Sequence, residues 1–509
     1  MKKNLLQKIA KASIIVLPCS IFFSYHPLFH FGSDGLMNYE LSLALIALVL
    51  FDIIAIIYLI FNRKLFKKAP KHFMILTALF PLYATISILW SSSKMHGFLA
   101  AGILWAIYLA VNAFYWLYQD LFKDKKFTNV FLKIFFGVSI AVCIFCWLQC
   151  ILDLMGVGKN ITLMCQGCGY QIFGFPHPNG FMAEPQYLGG VLLAPTLLAL
   201  YLICQEFSKK RLALVCVLVA TLFISLSRGA IYAFAVATVV LMVANIIKQK
   251  SARALLLIPL LALLFLVALN AQGLFAQFSK TNDTYMSGVT KSLNQLSLGV
   301  IDISEPESKP NPEVAPAESV DDKNPSEAPE LEPITVLAPA KTTVEEPAEV
   351  AHYDGYIAAS TNGRTALSKA AFALVAARPG YLIFGTGIGC GGNAIYQNYI
   401  DPGYIKDEGI KKTIKDAGVD IPSLNVQSEY AELFLEFGIV GAVLVAIAAF
   451  FYAKEIIKHK DRIFFIVLAI AYLVAFAFCS GLTNSLYLYL FIPIFCCVLK
   501  NYKTDYVKK

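Results

Sequence analysis

The sequence predicts an all-α fold, a polytopic transmembrane bundle of about twelve spans. Three observations predict it. Hydrophobic residues make up 58% of the 509-residue chain and charged residues only 15%, with a mean hydropathy of +0.64, a composition foreign to soluble globular domains. Apolar runs of about 20 residues, the length that crosses the hydrocarbon core of a bilayer, recur along the chain. Basic residues collect in every second loop between those runs, as the positive-inside rule requires.

The elements follow in order. Met1 to Lys11 is basic and leads into an apolar run from Ala12 to Phe23. No small-x-small cleavage signal follows, only Tyr25, His26 and Pro27, so this run reads as a retained first span. Spans are expected near 9–25, 40–61, 73–90, 98–117, 129–153, 184–205, 211–227, 229–247, 254–270, 431–453, 462–479 and 485–500. The loops at 62–72, 118–128, 206–211, 248–253 and 454–462 are basic, and so are both termini. Those at 26–39, 91–97 and 480–484 carry little positive charge. The alternation predicts both termini in the cytoplasm of a multi-pass protein of the cytoplasmic membrane. The net charge of +8 is written in those short clusters, so it records topology and implies no nucleic-acid partner; the lipid bilayer is the expected surrounding.

Residues 1–270 then form spans one to nine, 271–430 a large extracytoplasmic loop, and 431–509 the last three spans and a cytoplasmic tail. Within the loop, 302–350 is acidic and rich in Pro, Glu, Ala and Ser with hardly any aromatics. Such a segment buries too little apolar surface to offset its ordering entropy and is expected to be disordered. From His352 to 430 the composition becomes ordinary. Leu367, Ala370, Ala371, Leu374 and Val375 recur at helical spacing. Arg378–Pro379–Gly380 stops that helix, and Gly385–Thr386–Gly387–Ile388–Gly389 forms a tight turn. This glycine run lacks the strand-turn-helix context of a nucleotide loop; it reads as a turn that packs the loop against the bundle.

Three polar stretches carry the candidate chemistry. Arg228, in Ser227–Arg228–Gly229, sits between two apolar runs on the expected outer side, where arginines that merely flank spans are uncommon. Gly229 is read as allowing a sharp reversal. Arg364 follows Thr361–Asn362–Gly363 at an expected helix start, where a guanidinium and a helix N-terminus together suit a phosphate. Glu184–Pro185 opens the sixth span and Glu429 the tenth. Each carboxylate is read either as a helix cap or as a general base, and Glu184 also as a partner for Arg228. His177 and His352 are lone histidines with no metal spacing around them. Nine of the twelve cysteines lie in apolar runs as small hydrophobes. Cys165-x-x-Cys168 reads as a disulfide rather than a zinc half-site, since a second ligand pair is missing.

Taken together, these stretches resemble the O-antigen ligase and O-antigen polymerase family of bacterial membrane glycosyltransferases. The resemblance runs from about Gly174 to Ile439, leaving out 302–350. It is carried by Glu184–Pro185, Leu226–Ser227–Arg228–Gly229–Ala230, Gly363–Arg364, Arg378–Pro379 with the glycine turn, and Gln427–Ser428–Glu429–Tyr430 shortly before Gly438–Ile439–Val440–Gly441. It implies glycan transfer at the outer face: a polyprenyl-pyrophosphate-linked glycan donates, and a hydroxyl of a glycan or lipid-linked acceptor attacks its anomeric carbon. Arg228 and Arg364 would bind the pyrophosphate, with neither metal nor cofactor. Ligase-type members carry a histidine where this chain has Gln427, and glutamine accepts no proton at neutral pH. The resemblance therefore tilts toward a polymerase, with Glu429 ahead of Glu184 as the base and Gln427 in the histidine's position.

A transporter or flippase is the alternative from another class, and twelve spans would suit it. Charges within spans are few, Asp52 being the clearest, whereas ion-coupled carriers place ionisable groups near the midplane. The large loop also divides the spans nine and three, not six and six.

The topology has a direct test. In a chain with its native cysteines replaced, a cysteine at position 320 should react with a membrane-impermeant thiol reagent in intact cells. Cysteines at positions 64 and 250 should react only after permeabilisation. The reverse pattern would invert the topology.

Overall fold

The computed structural model describes residues 2–24, 27–31, 39–66, 71–118, 121–157, 159–164, 175–182, 184–249, 257–279, 284–297, 353–400, 426, 428–478 and 485–500. They form an all-α polytopic membrane bundle. Its helices are α1 Lys2–Ser20, α2 Leu43–Phe61, α3 Lys71–Ser87, α4 Lys94–Asn112, α5 Lys125–Leu154, α6 Pro185–Gln205, α7 Lys209–Ile224 and α8 Arg228–Gln249. They continue as α9 Leu257–Gln277, α10 Tyr285–Leu296, α11 Tyr353–Ala377, α12 Pro379–Phe384, α13 Gly391–Ile400, α14 Glu429–Ile457, α15 Arg462–Ala475 and α16 Leu486–Leu499. Each of the twelve apolar runs carries a helix. Eight are long and apolar enough to cross a membrane, and α15 and α16 are shorter apolar helices.

Local chemistry fixes the ends. Ser42, Asp124 and Ser208 cap α2, α5 and α7 by accepting from Leu45 N at 3.3 Å, Lys126 N at 3.0 Å and Arg211 N at 3.3 Å, which satisfies amides that no helical carbonyl reaches. Pro185 starts α6 at the position where its missing N–H costs nothing. Two polar contacts mark one end of the bundle. Lys11 pairs with Asp124 at 3.1 Å, and Tyr201 at the far end of α6 donates to Asp461 at 2.7 Å. The candidate site lies at the other end, called here the site end.

The helix α6 is the centre of the molecule. It is buried along almost its whole length and touches α5, α7, α8, α15 and α16. Two adjacent glycines allow this. A Cβ at Gly189 would stand 2.5 Å from Ser227 Cβ and 2.7 Å from Ala230 Cβ, and one at Gly190 would overlap the Tyr487 hydroxyl. The start of α6 is thus pressed against the turn before α8 and against α16, as small residues permit between membrane helices.

The helices α11, α12 and α13 form a block on the site end. Its small core joins Ala366, Leu367, Ala370, Ala371, Leu374 and Val375 of α11 to Ala394 and Ile395 of α13 and to Ala431 and Leu435 at the start of α14. The glycine turn runs between the bundle and this block. Gly385 and Gly438 take φ values of 74° and 59°, and their backbones approach too closely for a Cβ on either. Gly438 interrupts α14 with non-helical dihedrals, so the first turns of α14 belong with the block.

Three expectations change. Residues 26–39, expected as a plain loop, contribute a strand: β1 Pro27–Phe31 pairs antiparallel with β2 Tyr39–Ser42, Phe29 opposite Leu41, which satisfies backbone N–H and C=O groups across the pair. The reversal before α8 is made by Leu226, at φ 46°, while Gly229 is helical and its missing side chain admits Phe478. The third is α11, which begins at Tyr353, so Arg364 lies well inside a helix and not at its start. Thr361–Asn362–Gly363 resembles a cap in sequence, but tertiary packing of α11 overrides that local preference. The acidic segment 302–350 lies outside the described residues, as do Cys165, Cys168, His352 and Gln427.

The central packing is testable. Gly190→Ala drives a methyl into Tyr487 and should lower the melting temperature of the detergent-solubilised protein, at the ~1–3 kcal/mol typical of overpacking. Adding Tyr487→Phe should recover part of the loss. An unchanged melting temperature for Gly190→Ala would show that this contact is not close.

Candidate active site at the head of the central helix

The site is built around the first residues of α6. Glu184 precedes the helix in an extended conformation, φ −140° and ψ 156°, and its side chain makes no capping bond. Its carboxylate instead accepts from Gln186 Nε2 at 2.6 Å. The same amide's Oε1 accepts from Arg364 Nη2 at 2.9 Å. An amide has one accepting and one donating end, so a glutamine oriented by the guanidinium necessarily aims its N–H2 at a carboxylate. Gln186 therefore relays between Arg364 of α11 and Glu184, two residues that the sequence separates widely.

Gln186 also draws in the Arg228 segment. Its backbone carbonyl accepts from Ser227 Oγ at 3.3 Å, and Ser227 immediately precedes Arg228, the first residue of α8. The Leu226 conformation turns the chain here, and Arg228 is buried at 7% exposure. A guanidinium so placed at the end of a membrane helix is costly without hydrogen-bonding partners. From the other side, Gln149 of α5 holds the approach to Glu184: it donates to Gly180 O at 3.0 Å and accepts from Gly180 N at 2.8 Å.

Glu429 stands on a neighbouring segment. Ser428 is the N-cap residue of α14. The Glu429 amide donates to Phe476 O at 2.8 Å, and its buried carboxylate accepts from the Tyr489 hydroxyl of α16. Two residues beyond Phe476, Phe478 packs on Gly229, which links the Glu429 segment to that of Arg228. Tyr430 serves the backbone, donating to Leu473 O at 2.7 Å. His177 is buried in the segment before Glu184.

The structure thus gathers Glu184, Arg364 and the Arg228 turn around Gln186, with Glu429 on the adjoining wall. Gln186 and Tyr489 were not singled out from sequence. Gln186 left a faint signal, a polar side chain in the first turn of an otherwise apolar span; Tyr489, an aromatic in an aromatic-rich span, left none. Burial pushes the Glu184 carboxyl above its ordinary range, and the Arg364 charge partly offsets this. Arg364 has a further feature: its Nε is buried and has no hydrogen-bond partner among the described residues. One edge of the guanidinium is held by Gln186 while the donor at Nε is unused.

This assembly places cationic donors and a carboxylate at one end of a helical membrane bundle. Residues 212–446 match the family model described as O-antigen ligase. No curated protein and no solved structure matches. The matched segment contains Arg228, Arg364 and Glu429, whereas Glu184 and Gln186 precede it. The match supports an O-antigen ligase-type membrane enzyme.

The raised Glu184 carboxyl has a pH consequence. The folded protein binds this proton more tightly than the unfolded chain, so Glu184 costs stability progressively as pH rises from the ordinary carboxylate range, near ~4.3, through the folded value. Glu184→Gln should flatten that limb of melting temperature against pH. Arg364→Ala, which removes the offsetting charge, should steepen it. Parallel profiles for all three proteins would show that Glu184 does not titrate differently on folding.

Proposed function

We propose that this protein polymerises a glycan carried on polyprenyl pyrophosphate, at the extracytoplasmic face of the cytoplasmic membrane, with the site end of the bundle facing outward. The observation that carries this reading is the half-satisfied Arg364 guanidinium, fixed through Gln186 to Glu184 while its buried Nε has no partner among the described residues. A planar guanidinium with a donor to spare suits a phosphate oxygen. The pyrophosphate of the donor takes that place, and Arg228, whose preceding residue is bonded to Gln186, supplies the second cation.

The reaction is a displacement at the anomeric carbon. A hydroxyl of the acceptor glycan attacks, the bond from that carbon to the pyrophosphate oxygen breaks, and polyprenyl pyrophosphate leaves with the bonding pair. Negative charge grows on the leaving oxygen, where prearranged guanidinium groups stabilise it more than they stabilise the ground state. The acceptor's proton passes to a carboxylate. Glu184 is the better placed of the two candidates: it is only partly buried, sits one amide away from Arg364, and has a carboxyl raised above its ordinary range, burial outweighing the Arg364 charge. Glu429 is held by Tyr489 inside the bundle and acts as support. Polymerisation is preferred to ligation because Gln427 stands where ligase-type members have a histidine.

Purified protein in liposomes, given a defined polyprenyl-pyrophosphate oligosaccharide, should lengthen it. Arg228→Ala and Arg364→Ala should each slow growth at least ~100-fold, the scale of losing one preorganised donor to a developing anion, and lysine should rescue poorly because it lacks the planar fork. Glu184→Gln should lose most of the rate and the acid limb of the pH profile. Passage of the lipid across the membrane without growth would favour a carrier. Normal growth by either alanine variant at equal abundance would remove that arginine from the site.

A further inference from the structure

We propose that Glu436 is a positioning residue for the transfer reaction: its carboxylate clasps the amides at the start of α13, and through the α11–α13 block it sets where Arg364 stands. The proposal rests on the assignment of Arg364 to the donor's pyrophosphate. Glu436 is 7% exposed, two residues before the break in α14 at Gly438. A carboxylate buried in an apolar span is unfavourable unless hydrogen bonds replace its water. Here its Oε1 accepts from Cys390 N at 3.0 Å and Gly391 N at 3.2 Å. Gly391 begins α13, so these are amides that no helical carbonyl can serve, at the end of the helix that favours negative charge.

The backbone around the carboxylate is bolted on two sides. Toward α14, Thr386 donates to Leu435 O from its amide at 2.9 Å and from its hydroxyl at 3.1 Å, and Gly387 N donates to Glu436 O at 3.0 Å. Toward α3 and the turn after it, Ile388 N donates to Ser87 Oγ at 3.1 Å, Ser91 Oγ to Ile388 O at 3.0 Å, and Tyr83 Oη to Phe384 O at 2.7 Å. Residues 384–391 are therefore a bolt threaded between α3 and the kink of α14, and the Glu436 carboxyl fastens it by accepting from two amides at its end, with Glu432 one turn earlier beside Gly391. The path to Arg364 is short. Ala394 and Ile395, in the first turn of α13, share a core with Ala366 and Leu367 of α11, two and three residues beyond Arg364. Close-packed cores transmit displacement rather than absorb it.

Cys390 is a built-in reporter. Its thiol is 2% exposed and donates to Gly387 O at 2.9 Å, so it should resist thiol reagents while the clasp is closed. Glu436→Ala leaves two buried amides without an acceptor. It should make Cys390 reactive in the folded, detergent-solubilised protein, read by peptide mass spectrometry, whereas Glu436→Gln, which keeps the accepting oxygen, should leave it protected. Glu436→Ala should also slow glycan growth about tenfold, the scale of leaving a buried donor without its acceptor. In an Arg364→Ala background the same substitution should change the residual rate less than about twofold, because the residue it positions is gone. Glu436→Asp, one methylene too short, serves if the alanine variant does not fold. A protected Cys390 in the alanine and aspartate variants would overturn the clasp. A reactive Cys390 with fully additive rate losses would overturn its action on Arg364. Normal growth by Arg364→Ala would overturn the proposal together with the assignment of Arg364, while the Cys390 readout would still report the clasp by itself.

Discussion

The hydrogen-bonded relay from Arg364 through Gln186 to Glu184 is the interaction on which the rest of the site depends. It joins a helix outside the bundle to the most buried helix inside it. Each member constrains the next: the guanidinium orients the amide, and the amide turns the carboxylate away from its own helix end. A carboxylate and a guanidinium kept one amide apart do not neutralise each other as a direct ion pair would. The carboxylate keeps a raised affinity for its proton, and the guanidinium keeps a donor in reserve. Both properties are useful to an enzyme that must take a proton and hold a leaving anion in the same small space.

Packing makes that relay possible. Gly189 and Gly190 let α6 lie against the Ser227 turn and Tyr487 at distances that any side chain would forbid. The head of α6 is thereby fixed relative to α8 and α16, the helices that begin with Arg228 and carry Tyr489. On the other side, the block that bears Arg364 owes its position to its shared core with the first turns of α14 and to the glycine bolt. Arg364 and Glu429 thus reach the site from one packed unit, and Glu184, Gln186 and Arg228 from another. The relay is one of the places where the two units meet.

Much of the fold was legible in the sequence because lipid is a demanding solvent. A chain in hydrocarbon must satisfy its backbone within helices, so long apolar runs announce themselves, and each of the twelve runs carries a helix. The arrangement of polar groups was less legible. Ser227–Arg228 and Glu184 stood out because charge at the end of a span is rare, and both lie at the head of α6. Arg364 was drawn to a helix start by Asn362–Gly363, yet α11 continues through them, because its apolar stripe packs on α13 and α14. Gln186 could not be recognised, since an uncharged residue in the first turn of a span becomes meaningful only when α11 is brought to it by contacts distant in sequence. Leu226 in a left-handed conformation was equally hidden: a leucine gives no local sign that tertiary packing will hold it there.

The central claim is that Arg364, steadied by Gln186, receives the pyrophosphate of a lipid-linked glycan. A cryo-electron-microscopy map of the purified protein with a polyprenyl pyrophosphate bound tests this most directly. The account predicts phosphate density within hydrogen-bonding distance of the Arg364 and Arg228 guanidinium groups, with Gln186 still bridging Arg364 and Glu184 and the lipid tail running along the bundle. Phosphate density elsewhere on the bundle, with neither arginine touching it, would contradict the account.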